Sequence, residues 1–270
     1  MSKIGVGIVT CNRHEMYREL VDSLPFDRGY DYITVNDGKT DESESMIHDD
    51  YMYVANKDSL GVGKSKNIAI QYLLSQGCDY IFIIEDDMRI KDPEIFNKYI
   101  HAHKSTGISH FMFGYHGPAN KNGISGGAPV PTKVINYGDP NIPLIALNHH
   151  CVGAFCMYTR ESLEDVGVLD ENYLNAFEHV DHSYMLAKRG YSTPYWWWAD
   201  LANSMDLIEE QACSEDNSAI TPRSDWQSNI NEAWGEFTLK HGCSPIHVPV
   251  ASFSEVEKQL KLMFTTRNDS

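Results

Sequence analysis

Tyr80-Ile-Phe-Ile-Ile-Glu-Asp-Asp87 sets an unbroken apolar run directly against three consecutive carboxylates. A short continuous apolar run reads as a buried strand, and three adjacent anions repel one another unless a cation sits among them. The segment is expected to be a core strand whose C-terminal tip holds positive charge. Oxygen ligands favour a hard divalent ion, Mg²⁺ or Mn²⁺, in that place. The competing reading is an acidic loop after an ordinary strand.

Working outward, residues 3–10 read as a first buried strand ending in Cys11-Asn12-Arg13, and residues 15–24 carry helical spacing. Tyr32 to Val35 is a second strand closed by the turn signal Asn36-Asp37-Gly38, and residues 51–55 form a short third. Behind Gly61 and Gly63, residues 64–76 read as a helix that leads into the 80–84 strand. Strands alternating with helices predict an α/β, doubly wound, mostly parallel sheet with helices on both faces. Ligands in such sheets bind at the carboxyl ends of the strands, where these polar signatures all fall. Residues 114–143 lose periodicity and gather Gly, Pro and Asn, as a functional loop on an acceptor side would. Order returns at residues 151–158 and in a helix over 160–166.

A chain of 270 residues, 42% apolar and 22% charged, can bury a sizeable core as one domain, with or without a small appendage. Its formal charge of −16 counts against phosphate-backbone affinity and against docking on anionic membrane. No stretch reaches transmembrane length and the N-terminus lacks a signal-peptide core, so a soluble cytoplasmic protein without stable membrane insertion is expected. Cys11, Cys78, Cys151, Cys156, Cys213 and Cys243 form no Cys-x-x-Cys pair, which favours reduced thiols over structural zinc or disulfides.

Asp58-Ser-Leu-Gly-Val-Gly63-Lys64-Ser65 looks like the end of a P-loop, with residues 80–87 as its acidic partner strand. A P-loop needs glycine where Asp58 stands, because backbone amides must wrap the phosphates. An NTPase therefore remains a lesser alternative.

Taken in order, Thr10-Cys-Asn-Arg13, Asn36-Asp-Gly-Lys-Thr-Asp41, Leu60-Gly-Val-Gly-Lys-Ser-Lys-Asn67, Glu85-Asp-Asp87, Gly153, Asp170-Glu171 and Glu178-His-Val-Asp181 resemble the family-2-type inverting glycosyltransferases of the GT-A fold. The resemblance spans residues 3–204. It implies that Thr10, Asn12, Arg13, Asn36 and Asp37 hold the nucleotide, with Asp37 accepting the imide N–H of uracil and so favouring a UDP-sugar. It implies that Gly61, Lys66 and Asn67 line the diphosphate side, and that Glu85 or Asp86 lies near the ribose or the water shell. Asp87 would bind Mn²⁺ or Mg²⁺ directly, with Asp200 as a further ligand where relatives carry His. The general base would come from Asp181, Glu178 or His179, His179 standing where the usual base is Asp. Trp196 to Trp198 could form an aromatic platform, although alternation on a strand would turn part of the run into the core. His149 and His150 read as polar loop residues near the acceptor.

The expected organisation is a GT-A domain over residues 1–208, split into a nucleotide-sugar half (1–110) and an acceptor and catalytic half (111–208), followed by a helical extension over 209–270. The expected reaction is metal-dependent, inverting transfer of one sugar from a nucleoside diphosphate to a hydroxyl of a soluble acceptor such as a glycan. Four alternatives stand beside it. A phage-type enzyme acting on hydroxymethylated DNA bases would need a local basic groove, for example at Lys121, Lys133, Lys188 and Arg189. A nucleotidyltransferase would need a Gly-rich N-terminal loop that residues 5–13 lack. A non-catalytic nucleotide-sugar binder would need no base, and the last alternative is the NTPase.

Overall fold

The computed structural model describes residues 2–38, 52–211 and 224–268. Its elements in chain order are β1 (Ile4–Thr10), α1 (His14–Ser23), β2 (Asp31–Asn36), β3 (Met52–Ala55), α2 (Val62–Ser75), β4 (Tyr80–Glu85), β5 (Met88–Ile90), α3 (Ile95–Thr106) and β6 (His110–Met112). There follow β7 (Lys133–Ile135), β8 (Ile145–Asn148), β9 (Phe155–Thr159), α4 (Arg160–Val166), α5 (Glu178–Lys188), β10 (Trp198–Leu201), β11 (Ile208–Glu210), α6 (Trp226–His241) and α7 (Phe253–Asn268).

The apolar runs of β1, β2, β3 and β4 pair in parallel in the order β3-β2-β1-β4, because α1 and α2 carry the chain back between them. Antiparallel β9 and then β6 extend the sheet beyond β4. Apolar clusters cover both faces of the sheet. Phe82, Phe96, Tyr99 and Phe155 meet Val256 and Leu260 of α7 on one face. Ile33, Ile70, Leu73 and Ile81 share the other with Leu186 of α5 and Phe237 of α6. This is the doubly wound α/β arrangement that the alternation of strands and helices predicts. Two small antiparallel sheets, β10-β8-β7 and β11-β5, complete the fold.

Two glycines bring α2 onto β1. A Cβ on Gly5 would lie 2.7 Å from Leu73 Cδ2, and one on Gly7 would lie 2.8 Å from Ala69 Cβ. The helix can approach this closely only over strand positions without side chains.

Three expectations are adjusted. The strand expected from Cys151 begins only at Phe155, because β4 has no further ladder to offer: Ile84 pairs with Phe155, Glu85 N donates to Ala154 O at 2.8 Å, and the chain then turns at Asp86-Asp87. Within the loop expected over 114–143, β7 pairs with β8. The C-terminal extension is helical in α6 and α7, but Glu209 lies in β11, paired with Arg89 of β5. The tryptophan run serves the core: Trp197 and Trp198 are buried and Trp197 Nε1 donates to Ala251 O at 2.8 Å. Cys11, Cys78, Cys151, Cys156 and Cys243 are free thiols, while Cys213 lies outside the described residues.

Gly7→Val should lower unfolding stability by about 1–3 kcal/mol through overpacking, read as a reduced urea midpoint at unchanged m-value.

Candidate active site

The carboxyl ends of β1, β2 and β4 lie side by side, so their loops meet. Asn12 sits at φ 53° and its side chain lies under Gly38, where a Cβ would come 2.3 Å from Asn12 Oδ1. A side chain at position 38 would have to displace the Asn12 amide. Asn36 Oδ1 accepts Gly38 N at 2.9 Å and Asn36 Nδ2 donates to Tyr53 Oη at 2.9 Å. Asp37 receives four donors: Asn56 Nδ2 (2.7 Å) and Leu60 N (2.8 Å) on Oδ1, Ser59 Oγ (2.8 Å) and Gly61 N (2.9 Å) on Oδ2. A carboxylate offers about four lone-pair sites, and here all four are used. Asp37 thus supplies the negative charge that the N-terminus of α2 attracts. The P-loop reading thereby loses two of its backbone amides, Leu60 N and Gly61 N, to a side chain. The remainder of the second turn, Lys39 to Asp41, lies outside the described residues.

Each carboxylate of the acidic triplet has its own cationic neighbour. Asp86 is fully buried, accepts Thr10 Oγ1 at 2.6 Å and is paired with Arg13. Arg13 Nη1 also donates to Asp87 Oδ2 at 2.9 Å, and His116 Nε2 stands 3.3 Å from Asp87 Oδ1. Burial pushes the Asp86 carboxyl up despite Arg13. Burial opposes charge on Asp87 as well, but His116 and Arg13 outweigh it and hold that carboxyl below the usual range. Burial works against the His116 imidazolium, and Asp87 more than compensates, raising its pKa. Gln211 braces the turn, with its backbone N on Asp87 O at 2.7 Å and Nε2 on Asp86 O at 3.0 Å.

Glu85 ion-pairs with Lys66 at 2.7 Å. Lys66 Nζ, fully enclosed in α2, also reaches Glu178 Oε1 at 3.2 Å and Gly153 O at 3.1 Å. His179 Nδ1 lies 3.1 Å from the same Glu178 Oε1, and its ring packs on Gly153, where a Cβ would come 2.8 Å from Cγ. Burial disfavours charge on Glu178, yet Lys66 and His179 hold its carboxyl below the usual range. Burial likewise works against the Lys66 ammonium, and Glu85 and Glu178 raise its pKa over that penalty. The helix bearing Glu178 is launched by Phe177 at φ 65°, a strained setting for a bulky residue, held by an edge contact to Trp234 at 5.9 Å. Glu85, His116, Gly153, Glu178, His179 and Trp226 line one cleft of about 410 Å³.

The other residues singled out in the sequence act as braces. Asn67 donates to Leu169 O at 2.8 Å and accepts Leu169 N at 2.9 Å, fixing the approach to α5. Asp181 does not line the cleft: it accepts Lys240 Nζ at 2.8 Å, His241 Nε2 at 2.7 Å and Tyr173 Oη at 3.2 Å, which docks α6 on α5. Asp200 is fully buried and takes Tyr99 Oη (2.6 Å), Gly114 N (3.0 Å), Leu201 N (2.7 Å) and Ser204 Oγ (2.7 Å). Burial pushes its carboxyl up to about 6 against those donors. His149 and His150 are exposed beside the loop, as expected. The four basic residues suggested for a nucleic-acid groove are separately committed. Lys121 is buried against Glu210 at 2.5 Å, Lys133 stacks over Phe253, Lys188 over Tyr184, and Arg189 pairs with Asp165.

Sequence reasoning missed His116, Lys240 and His241. His116 lies in an aperiodic loop, and the other two lie on a helix with no motif around them; their partners are distant in the chain. Among the described residues no three His, Cys, Asp or Glu side chains are grouped to hold a metal by themselves. His116, which lines the cleft, and Asp87 next to it offer one nitrogen and one oxygen donor. That set fits a hard divalent ion only if a bound diphosphate completes the shell.

No protein-family model matches the chain, and no curated protein matches it by sequence. Solved structures do resemble it. Residues 1–349 of S. aureus TarS superpose with a TM-score of 0.58 at 13% identity, covering 98% of this chain and 71% of that one. A longer S. aureus TarS structure gives 0.56 at 13% identity, covering 99% of this chain and 44% of that one. A mutant Drosophila β-1,4-galactosyltransferase 7 in complex with manganese, UDP-Gal and xylobiose gives 0.50 at 11% identity, over 86% and 79% of the two chains. The likeness is one of fold, and the fold is GT-A.

Lys66→Met should cost about 3–5 kcal/mol at pH 7, because it strands buried carboxylates. In the parent, Glu178 is stabilising above its ordinary value near 4.5 and loses that contribution as pH falls through its depressed folded pKa. In the variant burial is opposed by His179 without Lys66, so that pKa rises from its parent value and the penalty should shrink as pH falls and Glu178 takes a proton; urea unfolding at pH 7 and pH 4 reads this. Asp181→Ala should also cost about 3–5 kcal/mol, with faster amide exchange in α6.

Proposed function

We propose that the chain is an inverting glycosyltransferase that moves one sugar from a nucleoside diphosphate to a hydroxyl of a glycan-like acceptor. The observation that carries this reading is one cleft at the carboxyl edge of a GT-A sheet, lined by Glu85 and His116 on one side and Glu178-His179 on another, with Asp87 in contact with His116 next to it. The galactosyltransferase of like fold holds manganese, UDP-Gal and xylobiose together, which is the same combination in kind.

Arg13 and His116 place positive charge where a diphosphate would gather negative charge on leaving. Asp87, with His116 beside it, would hold a divalent ion, which when bound supplies Lewis-acid stabilisation of the leaving diphosphate. Glu85, which lines the cleft and is anchored by Lys66, is placed for a sugar or ribose hydroxyl. The acceptor proton passes to the Glu178-His179 wall, and attack opposite the leaving group inverts the anomeric centre. With Asp37 filled by four protein donors, the ground for preferring uracil falls away, and the base becomes a result for experiment.

A second hollow of about 500 Å³ is lined by Asn120, Asn122, Thr132, His149 and His150, with no carboxylate, lysine or arginine. It adjoins the cleft along the chain at His116–Pro118 and His150–Cys151. Neutral hydrogen-bonding walls suit an uncharged, hydroxyl-rich acceptor. A cleft that carries the Glu178-His179 pair argues against a binder without catalysis.

Calorimetric titration with UDP- and GDP-sugars, with and without Mn²⁺, tests the proposal. One nucleotide sugar should bind in a Mn²⁺-dependent manner, and Asp87→Asn, folded by circular dichroism, should weaken it at least tenfold. Affinity for ATP with phosphate release, and none for any sugar nucleotide, would contradict it.

A further inference from the structure

Of the four acidic or imidazole groups on α5, Glu178, His179, Asp181 and His182, three are already engaged, His182 being buried with Nε2 2.8 Å from Gly167 O. Asp181 belongs to the α6 contact, with donors on both oxygens. Glu178 has a side chain only 3% exposed and is held as an anion by Lys66. A carboxylate held so far below its usual range is a poor proton acceptor, because base strength falls with pKa. His179 has a side chain 24% exposed and borders the cleft. An ionised carboxylate only accepts, so the 3.1 Å contact puts a hydrogen on His179 Nδ1, and in the neutral ring the lone pair is then on Nε2.

We infer that His179 Nε2 is the general base of the transfer, with Glu178 as its orienting partner and Lys66 as the counter-charge that keeps Glu178 ionised. This rests on the transferase reading. The acceptor oxygen forms its bond to the anomeric carbon, and its proton passes to His179 Nε2. The bond from the anomeric carbon to the diphosphate oxygen breaks, and its electron pair leaves with the diphosphate. Glu178 stabilises the resulting imidazolium through Nδ1–H, and the proton is lost to water when products depart.

The charged groups facing this pair are Glu178 from α5, Lys66 from α2, Glu85 from β4 and His116 from the loop after β6; α6 contributes only the apolar Trp226 and Ile230 to the cleft. Gly153 sets the ring's seat, since any side chain there would strike His179 Cγ.

The test has two arms. In ¹⁵N-histidine NMR, the signal absent from His179→Gln should report a neutral Nδ1–H tautomer at pH 8, and Glu178→Ala should release it towards Nε2–H. The second arm follows UDP release from UDP-glucose, UDP-galactose and UDP-N-acetylglucosamine with Mn²⁺ and water as acceptor. His179→Ala should reduce turnover at least a hundredfold while donor affinity changes less than threefold. His179→Asp should restore part of the rate and move the acid limb of the pH profile to lower pH, because a carboxyl replaces an imidazole. An Nε2–H tautomer in the parent, turnover within threefold in His179→Ala, or an unmoved limb in His179→Asp would overturn the inference while leaving the transferase reading intact. If the parent binds no nucleotide sugar, both fall together.

Discussion

The ammonium of Lys66 is the interaction on which the rest of the site depends. Enclosing it costs several kcal/mol unless its partners are close and oriented. Here they come from three directions: Glu85 at the tip of β4, Glu178 at the start of α5, and the carbonyl of Gly153 just before β9. One buried cation therefore fixes a central strand of the sheet against the helix that carries Glu178 and His179. The close seat of α2 on Gly5 and Gly7 puts Lys66 there, so strand composition and site electrostatics are parts of one constraint.

The same logic runs along the acidic edge. A chain with a formal charge of −16 places four carboxylates, Glu85, Asp86, Asp87 and Glu178, against Lys66, Arg13 and His116. Each carboxylate has a cation against it, Lys66 shared by Glu85 and Glu178 and Arg13 by Asp86 and Asp87, so the repulsion implicit in the sequence Glu-Asp-Asp is resolved locally. A ligand bringing phosphate charge would meet Arg13 and His116 near the cleft, and a metal would strengthen that attraction. A site of this kind is preorganised by the protein before any substrate arrives.

Much of the fold was legible because it rests on local pattern. Ile4 to Thr10 and Tyr80 to Glu85 are unbroken apolar runs, and Gly61 before a periodic segment marks where α2 begins. The polar cluster at the strand ends followed from that topology. What was not legible depends on distant pairing. Asp181 looked like a base in its motif, yet residues about sixty positions later, Lys240 and His241, bind it. Asp200 looked like a metal ligand, but Tyr99 and Gly114 claim it from other elements. Asp37 looked like a base reader, and the loop before α2 fills it. In each case a buried carboxylate took the nearest donors that the tertiary fold offered, a choice that spacing alone cannot encode.

The most direct test of the central claim is a crystal structure with Mn²⁺ and the nucleotide sugar of highest affinity, using the anomalous signal to place the metal. The account predicts manganese at Asp87, diphosphate between it and Arg13, and the sugar's anomeric carbon facing His179 across the 410 Å³ cleft. Nucleotide bound elsewhere on the chain, or manganese away from Asp87, would contradict it.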